Sequence, residues 1–550
     1  MVLSLSSLLS TEKSPATLVL TAALALPLAW QLYRRSCYSS PSSPASTPAY
    51  RLPHELPTTR RWLGDTLELV ARMPDLHDWM TELCLRYEGE PYVFHSLGRP
   101  DMIVLYTPQA IEDVLKNEFD AFPKGPFMCD NLRDVLGDGI FATDGAAWQR
   151  QRKIASHLFT LRAMRDLMAT VIRKNAAPLC AVLRDAQAGD APIDLHRLFS
   201  GFTMQTFAEI GFGVDLHCLD ATRADPLQRA LDSVLEIIVL RFMRPTWFWK
   251  LQRLLNVGAE AQMRRDIATL DDAVTHIIRD TLRRRATASQ STAGDAQDES
   301  DGRRAAPKDI ISLFLENRLD GDDDDDDGDD AATAKYLRDA VLNFLVAGRD
   351  STAQTLSWFL WDLSQNARVE HAIRDELATA LPELVRGELA SPSMEQVQRL
   401  TYLEAAIRET LRLHPPVPIN TKHVMRDVVL SDGTLLRAGA TVSLAYYAMG
   451  RMPFIWGADA TEFKPERWLD PATGRINNVS AFQFVSFHAG PRMCLGVNLA
   501  MMELKIVLAT LLSRFHFEMV PGQTITYVNS VTLPIKGALL AHVKPIATNA

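Results

Sequence analysis

Cysteine is scarce in this chain. Only Cys37, Cys84, Cys129, Cys180, Cys218 and Cys494 occur, none at a paired spacing. That argues against a disulfide scaffold and a structural zinc site, and for a reducing compartment. Clustered positive charge is missing as well, so nothing suggests nucleic acid as a partner. The formal charge of -9 is local, because nine aspartates lie between Asp320 and Asp330 and the remainder of the chain balances. Such a run repels itself and reads as a solvated loop. No internal repeat is visible.

Between Ala16 and Tyr33 the stretch ATLVLTAALALPLAWQLY carries no charge. Its length of about 18 residues suffices for a membrane-spanning helix. Arg34 and Arg35 follow at once, which places the bulk of the protein on the cytosolic side. A cleaved signal peptide is the alternative, but arginines stand where small residues are expected at a cleavage site. The Ser/Pro-rich stretch that follows stays extended. Residues 1–50 therefore read as membrane anchor and hinge, and 51–550 as one catalytic domain.

From the hinge to about Arg285 the pattern is mostly helical, as in AIEDVLKNEF and AMRDLMATVIRKN. Polar segments at about 286–308 and 318–332 read as surface loops within the domain. Next comes a long helical pattern, AATAKYLRDAVLNFLVAGRDSTAQTLSWFLWDLSQ, apolar nearly all round its middle, which must run through the core. An amphipathic helix from Glu395 to Leu413 ends at HPP. Strand signals gather only afterwards, in DVVL, LLRAG and TVSLAYY. The stretch RFMRPTWFWKL, Arg241 to Leu251, reads equally as a membrane-interface segment or a buried helix start. The fold class is mainly α with a small β region.

FVSFHAGPRMCLG, Phe484 to Gly496, sets Phe487, Gly490, Arg492, Cys494 and Gly496 at a spacing whose chance occurrence is on the order of 1 in 10,000. The glycines allow a tight turn and close approach to a flat ligand. A helix begins just after the cysteine, and its first N–H groups favour a thiolate. With Phe487 as a shield and Arg492 available for a carboxylate, Cys494 suits an axial ligand of haem iron.

In these motifs, and in three others, the chain resembles the cytochrome P-450 family from about Phe122 to its end. The resemblance implies that haem lies between the long central helix and the cysteine loop. It implies that Glu409 and Arg412, in ETLR, join Arg467, in PERW, as a structural triad bracing that loop. By the same resemblance Trp148 and Arg152, in WQRQR, hold haem propionates, with His423 a further candidate. Arg150, Lys153 and Lys505 are then cations of the proximal face. In AGRDST, Ala347 and Gly348 leave room for dioxygen, and Asp350 and Ser351 relay protons, a role that Thr352 could share. The family more often has threonine at the position of Ser351.

Several segments most resemble the fatty-acid and alkane terminal hydroxylases of plants and fungi. The apolar residues Phe344, Ala347, Val417, Ile419 and Leu533 would line a site for an alkyl chain. The resemblance implies a monooxygenase of the endoplasmic reticulum membrane that acts on a lipid-like substrate. Since no flavin or dinucleotide segment follows Ala550, electrons are expected from a separate NADPH-cytochrome P-450 reductase. A hydroperoxide-rearranging haem enzyme and a non-catalytic haem sensor are the alternatives.

Overall fold

The computed structural model describes residues 50–60, 63–219, 226–294, 309–319 and 330–546. The expected anchor, the hinge up to Ala49, and the aspartate run up to Asp329 lie outside them. Among the described residues no helix is long and apolar enough to cross a membrane.

The helices that position the site are α1 (Gly145–Ser156), α2 (Leu195–Phe212), α3 (Pro226–Met243), α4 (Thr246–Leu255), α5 (Gly258–Gly294), α6 (Asp330–Ser364), α7 (Thr401–Leu413) and α8 (Val497–Leu512). With 35 residues, α6 is about 52 Å long. Its middle, from Leu337 to Leu363, is buried among apolar neighbours, as its all-round apolar pattern requires. The most extensive contact between any two elements is that of α6 with α2. It depends on Gly348, where a Cβ would fall 2.0 Å from the Phe207 ring. The small residue of AGRDST therefore lets α2 approach, and the space expected there for dioxygen is taken up by Phe207.

Three sheets flank the helices. The largest has the order β1 (His54–Glu55), β2 (Tyr92–Phe94), β3 (Met102–Leu105), β8 (Thr441–Leu444), β5 (Asn420–His423). In it, β3 runs parallel to β8 with Met102 opposite Thr441, and β5 runs antiparallel to β8 with His423 opposite Thr441. A second sheet joins β4 (Ile193–Asp194), β10 (Leu540–Pro545) and β9 (Phe515–Met519). The hairpin β6 (Val428–Val429) and β7 (Leu435–Leu436) is where DVVL and LLRAG place it.

The structure departs from the sequence reading in four places. Strands also occur before Arg285, because YVF and MIVL are short, fully buried apolar runs whose period does not separate strand from helix. The strand in TVSLAYY stops at Leu444, and Tyr446–Met449 is a helical turn. The helix expected over Glu395–Leu413 is broken: Met394–Val397 is one turn with a Ser393/Gln396 capping box. Thereafter α7 begins afresh, with the Glu376 carboxylate accepting from Tyr402 N and Leu403 N at 2.7 and 2.9 Å. Finally, α5 runs on through Gly294 into the expected polar loop, since Arg and Ala sustain a helix.

Candidate active site

The cysteine loop is a set of short turns. Cys494 N donates to Phe487 O at 2.9 Å, Met493 N to Gly490 O at 3.0 Å, and His488 N to Val485 O at 2.7 Å. Gly490 has φ +67, and a Cβ on it would meet Leu115 O at 2.1 Å, so no other residue fits. Gly496 is different: it caps α8 at φ -89, and a Cβ there would be in ordinary contact, 3.8 Å from Cys494 Sγ. Ser486 Oγ donates to Leu411 O at 2.7 Å, fastening the loop to α7.

Cys494 is exposed by surface area, yet the protein around it crowds the thiol. That desolvation pushes its pKa up, against the Gly496 N–H and the Arg152 guanidinium. The end of α8 alone does not yield a thiolate; ligation of a metal cation does, because it deprotonates a coordinating thiol.

Arg492 is nearly buried and engaged through its Nη2. It donates to Asp144 Oδ1 at 2.6 Å and Thr143 O at 3.1 Å, and its guanidinium lies 4.3 Å from the centre of the buried Trp148 ring. Arg152 approaches the same ring at 6.0 Å. Asp144 also accepts from Lys124 N and Gly125 N, both at 3.0 Å.

Strand parity sends Asn420 and Lys422 to one face of β5 and Thr421 and His423 to the other. His423 packs on Gly125, where a Cβ would be 2.3 Å away, and its Nδ1 is buried with no partner. Lys422, buried, joins Lys124 and Arg492. Desolvation, reinforced by its two cationic neighbours, holds Lys422 well below the usual lysine range; desolvation and then Arg492 bring Lys124 down to about 8. Among the described residues, Asp144 is the carboxylate that opposes them. This buried excess of positive charge suits an anionic ligand.

On the far side of the loop, Glu409 is fully buried between two arginines. Arg412 Nε and Nη2 and Arg467 Nε each lie 2.8 Å from its carboxylate oxygens, and Trp468 Nε1 donates at 2.9 Å. Arg412 also donates to Gly450 O, Ala460 O and Glu462 O.

In α6, Arg349 Nη1 lies 2.7 Å from both Asp232 Oδ1 and Asp350 Oδ1. Burial pushes Asp350 up to about 6, although Arg349 pulls it down. A cavity of about 190 Å³ adjoins the pair, lined among others by His196, Asp232, Glu236, Arg349, Asp350 and Gln354. Ser351 is half-buried, its Oγ donating to Ala347 O at 2.9 Å, while Thr352 is buried.

Of the expected apolar lining, Ala347, Val417 and Ile419 are half-buried, but Phe344 and Leu533 belong to the packed core. Phe344 packs edge-on against Phe314, and the Leu533 backbone is held by Gln354, Trp358 and Pro416. Arg150 and Lys153 are exposed. Lys505 is not: it is buried against Glu404 at 2.8 Å. RFMRPTWFWKL divides, with Arg241 and Trp249 buried and Leu251 exposed.

Residues 56–542 match the family model Cytochrome P450. The chain is a cytochrome P450. It is 35% identical to cytochrome P450 86B1 of Arabidopsis thaliana, covering 85% of this chain and 82% of that protein. To cytochrome P450 94B1 of the same plant it is 34% identical, covering 89% and 91%. To cytochrome P450 704C1 of Pinus taeda it is 34% identical, covering 86% and 89%. As a P450 the protein is a monooxygenase, an oxidoreductase that binds thiolate-ligated haem iron and works with a redox partner on a small-molecule substrate. The residues present fit that group: a single loop thiol, a glycine that admits no side chain, and a desolvated cation cluster with an orphaned His423 nitrogen.

The sequence reading missed Asp144, Lys124, Lys422 and Asp232. Asp144 had a signal, a carboxylate just before a helix that carries Trp148 and Arg152. Lys422 is one position from His423, and only strand parity separates them.

Proposed function

We propose that this P450 hydroxylates unactivated C–H bonds at or near the end of long-chain fatty acids. In this reading Ala16–Tyr33 anchors it in the endoplasmic reticulum membrane, and the NADPH-dependent flavoprotein reductase of that membrane supplies electrons near Arg150 and Lys153. The observation that carries the reading is the Asp350–Ser351 pair in the buried middle of α6, with Asp350 held by Arg349. A buried carboxyl beside a hydroxyl has a use where protons must be delivered to a dry site.

Haem, when bound, supplies the activation of dioxygen. Cys494 would hold its iron through the thiolate, and Arg492, Trp148, Arg152, Lys124, Lys422 and His423 would hold its carboxylates. The Glu409, Arg412 and Arg467 triad keeps the loop at its height. Asp350 draws protons from the cavity beside Asp232 and Glu236 and passes them to Ser351, whose hydroxyl turns from Ala347 O to hand them on. Thr352 is positioned by burial rather than exchange. Ala347, Val417 and Ile419 offer the alkyl chain an apolar surface and exclude water. The intact acid–alcohol pair favours this reading over a hydroperoxide rearrangement, which needs no such relay, and over a sensor.

Two measurements test it. Cys494→Ser should abolish the red-shifted Soret band of the reduced, carbon-monoxide-bound protein. In a screen of fatty acids, alkanes, sterols and phenolics, long-chain fatty acids should shift the spin state and yield terminal alcohols; a shift with bulky ring compounds alone refutes the substrate class.

A further inference from the structure

Between β9 and β10 the chain folds into a narrow hairpin whose legs pair at Tyr527 and Ile535, with Lys536 N donating to Thr526 O at 2.7 Å and Val528 N to Pro534 O at 3.0 Å. Its base is also fastened from outside: the Tyr527 hydroxyl donates to Asp78 at 3.1 Å, and Asn529 Nδ2 donates to Met73 O. The tip reaches inward to α6, where it meets Gln354 and Trp358.

Gln354 is buried, and both ends of its amide are in use. Its Oε1 accepts from Leu533 N at 3.1 Å, and its Nε2 donates to Thr532 Oγ1 at 2.8 Å. A backbone N–H can only donate, so the amide has a single orientation. Leu533 does not depend on this bond, because its N–H is shared with Pro416 O at 3.0 Å and its carbonyl accepts from Trp358 Nε1 at 2.9 Å. The Thr532 hydroxyl, by contrast, has Gln354 as its one tie among the described residues. What Gln354 alone holds is therefore Thr532 and, next to it, Val531, whose side chain packs on the core yet stays half-buried at the apex. The Pro416 bond sets this apex beside Val417, on the apolar surface offered to the alkyl chain. On α6 Gln354 stands one turn beyond Asp350.

We propose that Gln354 is a positioning residue for the reaction: it fixes Val531 and Thr532 against α6 and so sets which carbon of the chain lies nearest the proton relay. The inference rests on the fatty-acid reading above. Clamp and relay belong to adjoining turns of one helix, so the wall that meets the substrate and the group that delivers protons keep one register. Displacement of about 1 Å at a reacting centre is enough to change a rate about a hundredfold, and neighbouring methylenes make nearly equal apolar contacts, so a loose wall selects poorly among them.

The test uses the full-length haem-loaded protein with reductase and one saturated long-chain fatty acid, in wild type, Gln354→Leu, Thr532→Val, Thr532→Ser and the double variant Gln354→Leu/Thr532→Val. The reduced carbon-monoxide spectrum reports the folded fraction of each, and the denaturation midpoint its stability. Gln354→Leu and Thr532→Val should each lower the ratio of the main alcohol to that of the neighbouring carbon about fivefold, the weight of one neutral hydrogen bond. Thr532→Ser keeps the hydroxyl and should match the wild type. In the double variant the two losses should not add. Its midpoint should recover, since neither buried partner is then left unpaired, while its product ratio stays low. A ratio that returns with the midpoint gives Gln354 a merely structural role and overturns the proposal, as does a ratio unchanged in both single variants; in either case the fatty-acid reading stands on the wild-type product. If the wild type oxidises no fatty acid, that reading fails and this inference with it.

Discussion

Asp232 and Asp350 hold one guanidinium between them, that of Arg349, across the boundary between solvent and the interior of α6. The Asp232 side chain is 57% exposed and that of Asp350 6%. The Asp232 charge helps burial to keep Asp350 up at about 6, whereas Arg349 opposes it. Asp350 therefore carries its proton below about pH 6 and loses it as pH rises through that value. Product formed per NADPH should fall over the same range, and Asp350→Asn should remove the inflection and cost about 100-fold in turnover. Asp232→Asn leaves Arg349 to Asp350 alone and should move the inflection to lower pH. Coupling profiles recorded from about pH 5 to pH 8 check both, and a profile unaltered by either change rules out this relay.

Ser351 is the second relay group, and its hydroxyl rests on Ala347 O. Ser351→Ala removes the hydroxyl that follows Asp350 in the relay, so NADPH use should continue while product per NADPH falls about tenfold or more. Ser351→Thr adds a methyl that limits the side-chain rotamers and should raise coupling above that of the wild type. Unchanged coupling in Ser351→Ala would assign proton delivery to another group.

Glu409 has no exposed surface and lies between Arg412 and Arg467. Removing one member of such a buried set leaves the others charged and unpaired, at a cost of about 3–5 kcal/mol. Glu409→Ala should therefore lose most of its haem-loaded yield, and its denaturation midpoint should drop accordingly. Glu409→Gln keeps the shape but not the charge, and should fall between. A midpoint within experimental scatter of the wild type would show the triad to be dispensable.

How far the sequence could be read depended on the kind of signal. The Cys494 loop, the course of α6 and the Glu409/Arg412 pair were legible because each is a local pattern: a fixed spacing, an all-round apolar helix, or charges one turn apart; Arg467, 58 positions from Glu409, was reached only through the family resemblance. What escaped was non-local. Lys422 and His423 differ only in strand parity, which no one can assign before the strand's partner is known. Asp232 reaches Arg349 across 117 positions, and Lys505 is buried by Glu404, 101 positions away. Gly348 looked like room for a ligand, but a sequence does not show that Phe207 fills the notch.

The same helix that follows Cys494 carries a buried acid with no evident partner. Glu503 is buried in α8, its Oε1 has no hydrogen bond, and burial alone pushes its pKa up to about 8. In an unfolded chain the same carboxyl titrates near 4.3, or about that. Between those values the unfolded chain gives up a proton that the folded protein retains. Stability from this group is therefore complete below the unfolded pKa, declines as pH rises at up to about 1.4 kcal/mol per unit, and levels off above about pH 8. Glu503→Gln keeps the shape and cannot titrate. Its denaturation midpoint should match the wild type near pH 5 and exceed it at pH 8, with the gap widening in between. Parallel curves for the two proteins across that range would mean that Glu503 finds a partner in solution and is ionised throughout.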